Sequence, residues 1–129
     1  MNALRYFACV IAAVLLTCSS ASAQDSVDHL RRKAMQKDYQ AQRNLAFCLG
    51  TADDFCNGIV VPKPIEACAW RMIIIGSGNR QVDQSDVSNY RRDCYSNISA
   101  QERSVALTQA EALFKKIYRK ELPLGTLLR

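Results

Sequence analysis

The chain has 129 residues, 17 of them basic and 12 acidic, for a formal net charge of +5. That is mildly basic; a nucleic-acid binder would need those charges gathered on one face, so the reading is a solvated surface and no nucleic-acid partner. No apolar run approaches the roughly 20 residues of a membrane-spanning helix.

Arg5 precedes the apolar run Phe7 to Leu16, and the small triplet Ala21-Ser22-Ala23 follows it. A charged start, a short apolar centre and a small-residue cleavage site make an export signal, so residues 1–23 are expected to be removed before Gln24. The rival route, acylation of Cys18 as a lipoprotein, is disfavoured because Leu15-Leu16-Thr17 sets a bulkier residue than Gly, Ala or Ser before the cysteine. Loss of the leader leaves 106 residues and a charge of +4, since Arg5 is the only charged residue removed. That length suits one domain with a modest core, taken as residues 24–122, with residues 123–129 as a flexible tail. The expected location is the periplasm or the exterior.

Ser26 is a candidate cap, and Leu30, Ala34, Ala41, Leu45 and Cys48 recur at steps of three, four and seven. This is the stripe of a first helix, interrupted near Gln36 to Asp38. Asp53, Asp54, Asn57 and Gly58 form a loop, and Pro62 forbids helix until Pro64 can sit in a first turn. The segment from Pro64 to Ile75 then reads as a helix apolar on two sides, which makes it the central element. The run Ile73-Ile74-Ile75 favours a strand by propensity, yet 12 residues of helical stripe decide against it.

After Gly76-Ser77-Gly78-Asn79, either Asp83 or Ser85 can cap a short helix carrying Val87, Tyr90 and Cys94. Ser99-Ala100-Gln101-Glu102 has the form in which hydroxyl and carboxylate satisfy each other's exposed backbone donors. The helix it opens buries Ala106, Ala110, Leu113, Ile117, Leu107, Phe114 and Tyr118, with Glu111 and Lys115 paired outside. The fold class is therefore all-α, a small antiparallel bundle of about four helices.

Cys48, Cys56, Cys68 and Cys94 remain after cleavage, an even number in a chain bound for an oxidising compartment. Three connectivities are open in principle. Cys68 shares a face with Ile65 and Met72, and Cys94 shares one with Val87 and Tyr90, so both point into one core. Cys48 ends the first helix and Cys56 lies in the loop beyond it. The expected pairs are Cys48–Cys56 and Cys68–Cys94. No C-x-x-C pair suggests redox catalysis, and ligand spacing suits neither zinc nor any other metal.

Ala41, Asn44-Leu45-Ala46, Gly58-Ile59-Val60, Ala67, Trp70 and Gly78 fall in the order of the Sel-one-like repeat. That family, related to the tetratricopeptide repeats, has α-hairpins whose pattern resembles A-x-x-x-L-A, then G-x-G-V, then K-A-x-x-W, then A-x-x-G. The resemblance covers residues 38–78, one copy, with an inserted loop from Thr51 to Asn57. It implies a docking scaffold for proteins, as in exported adaptors and regulators of bacteria.

Trp70 is read as a core packer, and for His29 the sequence implies no geometry that would make it catalytic. Asp53-Asp54 with Asn57 is short of the oxygens a calcium loop supplies, and Asn97-Ile98-Ser99 matches a glycosylation acceptor that is equally a turn and cap. The acids are scattered, with no triad and no phosphate loop, so no enzyme activity and no cofactor are expected. The function expected is capture of a protein partner in a shallow groove lined by Tyr39, Gln42, Arg43 and Arg71. The alternatives are a small envelope enzyme, or an inhibitor of one that acts through the Cys48–Cys56 loop.

Overall fold

A computed structural model describes residues 26–53, 56–57 and 61–128, and these are all-helical. The leader with Cys18, Asp54 and the Gly58-Ile59-Val60 segment of the repeat resemblance lie outside the described residues. Six α-helices and one π-turn follow in order: α1 (Val27–Met35), α2 (Tyr39–Thr51), α3 (Pro64–Gly76), α4 (Gln84–Arg91), the π-turn (Arg92–Ser96), α5 (Ala100–Tyr118) and α6 (Leu124–Leu127). No helix among the described residues is long and apolar enough to cross a membrane.

The starts follow local chemistry. Ser26 accepts from the His29 amide at 3.2 Å and Asp38 from the Ala41 amide at 2.9 Å, which satisfies donors that the first turn leaves open. The expected break falls at Gln36–Asp38, where Lys37 takes a left-handed φ of 68°. Pro64 opens α3, where its missing N–H is no loss. Asp83, rather than Ser85, caps α4 in a box with Asp86, and Ser99 caps α5 in a box with Glu102.

Every residue of α3 from Ala67 to Ile74 is buried, and so is Gly76. A helix apolar all round needs cover all round. α2 and α5 supply most of it, α4 and the π-turn add to it, and α1 packs on α2. Burial of this kind stabilises by about 1.5–3 kcal/mol per large apolar side chain. That outweighs the modest β preference of Ile73 and Ile74, both fully buried here. The far end of α2 meets the approach to α3, where the Leu49 carbonyl accepts from the Lys63 amide at 2.7 Å.

Three expectations are corrected. The short fourth helix does not run smoothly through Cys94; it widens into the π-turn at Arg92–Ser96. The segment after Pro123 is not a loose tail, because Leu122 and Leu127 are buried and α6 packs against α3. Its apolar residues recur at 124, 127 and 128, helical spacing that pays for ordering a short turn only because α3 stands beside it. On α5, Lys115 pairs with Glu121 at 2.7 Å rather than with Glu111, since the left-handed turn at Arg119 folds the chain back toward the helix end. Ala106, Ala110, Phe114 and Ile117 form its buried face, with Leu107, Leu113 and Tyr118 half-buried beside them.

Candidate functional site

The four residues expected to line a shallow groove do not form one. Tyr39, Gln42 and Arg71 are buried, and only Arg43 is half-exposed. The Tyr39 hydroxyl lies 2.5 Å from Asp86 Oδ2 and 2.9 Å from the Gln81 carbonyl, so its one proton is shared between two acceptors. Arg43 sets Nε 3.0 Å from Asp86 Oδ1, donates to Ser85 Oγ at 2.8 Å and lies over the Tyr39 ring. Together they fasten α2 to the start of α4. Burial, followed by the hydrogen bond to Asp86, pushes the Tyr39 phenol up to about 12.

Gln42 donates to the Ala34 carbonyl at 3.0 Å and to the Tyr118 hydroxyl at 3.1 Å, tying α2 to α1 and to the end of α5. Arg71 donates from Nε to Asp93 Oδ2 at 2.8 Å, with both side chains almost fully buried. Asp93 also accepts from Arg92 at 2.9 Å through its other oxygen. Desolvation pulls the Arg71 guanidinium below its ordinary value, while Asp93 opposes that shift. The reason these residues are internal is that α2 and α3 are covered over most of their surface, so polar side chains there bond inward. Sequence reasoning missed Asp86 and Asp93. A charge at Arg71, in mid-helix between Trp70 and Met72, was the available signal, because such a charge requires a buried counter-ion.

The cysteines pair as expected, Cys48 with Cys56 and Cys68 with Cys94, with Cα separations of 5.3 and 5.0 Å. The second bond is wholly buried and ties α3 to the π-turn. No cluster of three or more His, Cys, Asp or Glu side chains able to hold a metal ion occurs among the described residues.

Two surface depressions matter chemically. One, of about 720 Å³, lies between the start of α3 and α5 and is lined by Glu66 and Glu102 among others. Two carboxylates in one groove are the elements of acid–base chemistry, but each is committed elsewhere. Glu66 pairs with Arg31, and Glu102 accepts from the Ser99 amide at 2.8 Å, which holds its carboxyl below the usual range.

The other, of about 300 Å³, lies between the π-turn, α5 and α6. Met72, Leu107 and Leu127 give it apolar walls, and Tyr95, Leu124 and Leu128 border it with exposures of 50%, 43% and 83%. The Tyr90 hydroxyl reaches the Leu127 carbonyl at 3.2 Å, which holds α6 in place, and its ring meets Tyr95 edge-on. Burial pushes the Tyr90 phenol well above its ordinary value, so it stays a neutral donor. Arg103 lies with its guanidinium 4.1 Å from the centre of the Tyr95 ring and donates to the Cys94 carbonyl at 3.0 Å. The arrangement is an apolar trough with one fixed cation at its rim, suited to recognition. Tyr95 stands there because the π-turn, which no sequence signal marked, carries it outward while Asp93 and Cys94 turn in.

Comparison with known proteins finds no family model, no curated protein and no solved structure that matches the chain.

Proposed function

We propose that this chain is exported by its N-terminal leader, forms its disulfides in the periplasm or outside the cell, and works there as a helical module that binds a protein partner, in the manner of an adaptor or regulator of the Sel-one-like type. The observation that carries this reading is the trough between α5 and α6, where large apolar side chains stay exposed beside a positioned arginine. Surface apolar clusters with polar rims mark recognition sites. The binding surface is thus moved from the α2 and α3 residues first expected to the other side of α3. Catalysis is disfavoured, because the carboxylates of the larger groove are already engaged in structural bonds. Two paired disulfides support an oxidising compartment.

A photoreactive amino acid placed at Leu128, in the chain exported from its own cells, tests the reading. The expected result is a discrete cross-linked protein from position 128 and none from the exposed Phe47 on α2. Equal labelling from both positions, or none from either, overturns it.

A further inference from the structure

The trough has a definite charge asymmetry. Among the described residues that line it, Arg103 is the only charged one, and none carries a carboxylate side chain. Its guanidinium is held in one plane by the Tyr95 ring on its face and by the Cys94 carbonyl on one amino group. Five N–H donors in a rigid fork leave further donors to present to a planar anion. A cation fixed in advance loses little freedom when its ligand arrives, which is the condition for strong recognition.

We infer that the trough takes a short apolar segment of a partner protein that carries a carboxylate, with the apolar side chains against Leu107, Leu127 and Leu128 and the carboxylate on Arg103. This rests on the interaction-module reading and names the chemistry of its partner. A volume of about 300 Å³ admits a few side chains and not a whole helix face. Peptide fits better than a hydrocarbon chain, because the Ser104 hydroxyl along the border can donate to a main-chain carbonyl that a hydrocarbon lacks. The net charge of +4 left once the leader is gone draws acidic partners and repels a second copy of the chain.

The test is selection of a random heptapeptide library on the oxidised, leader-free chain, followed by affinity measurement on the selected peptides. The expected consensus is Asp or Glu next to Leu, Ile, Phe or Met. Arg103→Glu should exchange the acidic position for Lys or Arg, and Arg103→Lys should keep it. Leu128→Asp, at a site 83% exposed and so without effect on folding, should weaken the selected peptides about tenfold or more. Melting followed by circular dichroism checks that each variant is folded. No consensus, a consensus indifferent to both Arg103→Glu and Leu128→Asp, or displacement of the peptides by oleate overturns the inference, and so does a dimer that Leu128→Asp disrupts. Should position 128 still cross-link a protein in cells while the library gives no acidic apolar consensus, the interaction reading stands and this inference fails.

Discussion

Arg71 and Asp93 show how a single residue can be decisive without touching a ligand. Each is nearly fully buried, and each is the other's compensation. Arg71→Ala is expected to destabilise by about 3 kcal/mol, the low end for a broken buried pair, because it leaves the buried Asp93 carboxylate with only the exposed Arg92 as counter-ion. The joint replacement Arg71→Met with Asp93→Leu should cost much less, since Arg92, half-exposed, returns to water once its partner is gone. Urea unfolding of Arg71→Met, Asp93→Leu and the double variant measures the coupling; additive losses would mean that the pair acts as two independent packing residues. Tyr39 makes a second prediction, in pH. An unfolded phenol ionises near pH 10, whereas folded Tyr39 holds its proton to about 12. Between those values the folded state binds more protons than the unfolded one. Stability is therefore complete below about pH 10 and declines as the pH rises toward 12. Tyr90, also raised, adds to the decline. The urea midpoint of Tyr39→Phe should fall less steeply above pH 10 than that of the parent chain; parallel curves would remove Asp86 and burial as the cause.

Helix ends carry the next level of control. α5 closes with Arg119 at a φ of 60°, a left-handed conformation in which a Cβ is unfavourable and glycine is at ease. Arg119→Gly is expected to stabilise by about 0.5–1 kcal/mol, because relief of that strain exceeds the added freedom of the unfolded chain. At the other end of α5, Ser99→Ala should destabilise by about 1 kcal/mol by opening the box with Glu102. Thermal melts of the two variants should move in opposite directions; a lower melting temperature for Arg119→Gly would show that its side chain contributes more than the strain. These ends also explain what the sequence made legible. Caps at Ser26 and Ser99 are local chemistry, and so they could be located from neighbouring residues alone. The same holds for the apolar stripes of α3 and α5. The π-turn could not be foreseen, because it follows from the demand that Asp93 reach Arg71 while Cys94 reaches Cys68, two contacts with sequence separations of 22 and 26. Nor could α6, which is too short to hold itself and is helical through its packing on α3. The trough depends on both, so its location was hidden for the same reason.

On the scale of the whole molecule, the two disulfides do unequal work. Cys48–Cys56 closes a ring of nine residues around the end of α2, whereas Cys68–Cys94 closes one of 27 and joins the central helix to the π-turn that carries Tyr95. Chain entropy alone assigns about 2.6 kcal/mol to the first and about 3.6 kcal/mol to the second. Packing widens the gap, because Cys68 and Cys94 are both fully buried and their replacement by alanine leaves unfilled space between α3 and the π-turn. The Cys94 carbonyl also orients Arg103, so loss of this bond loosens the trough as well as the fold. Paired replacement, Cys68→Ala with Cys94→Ala against Cys48→Ala with Cys56→Ala, should show the larger fall in unfolding free energy for the first pair. The second pair should retain peptide affinity, since no described residue between Cys48 and Cys56 lines the trough. Equal losses of stability would mean that packing alone docks the π-turn on α3. Loss of affinity from the Cys48 and Cys56 pair would place the binding surface at the stapled loop instead.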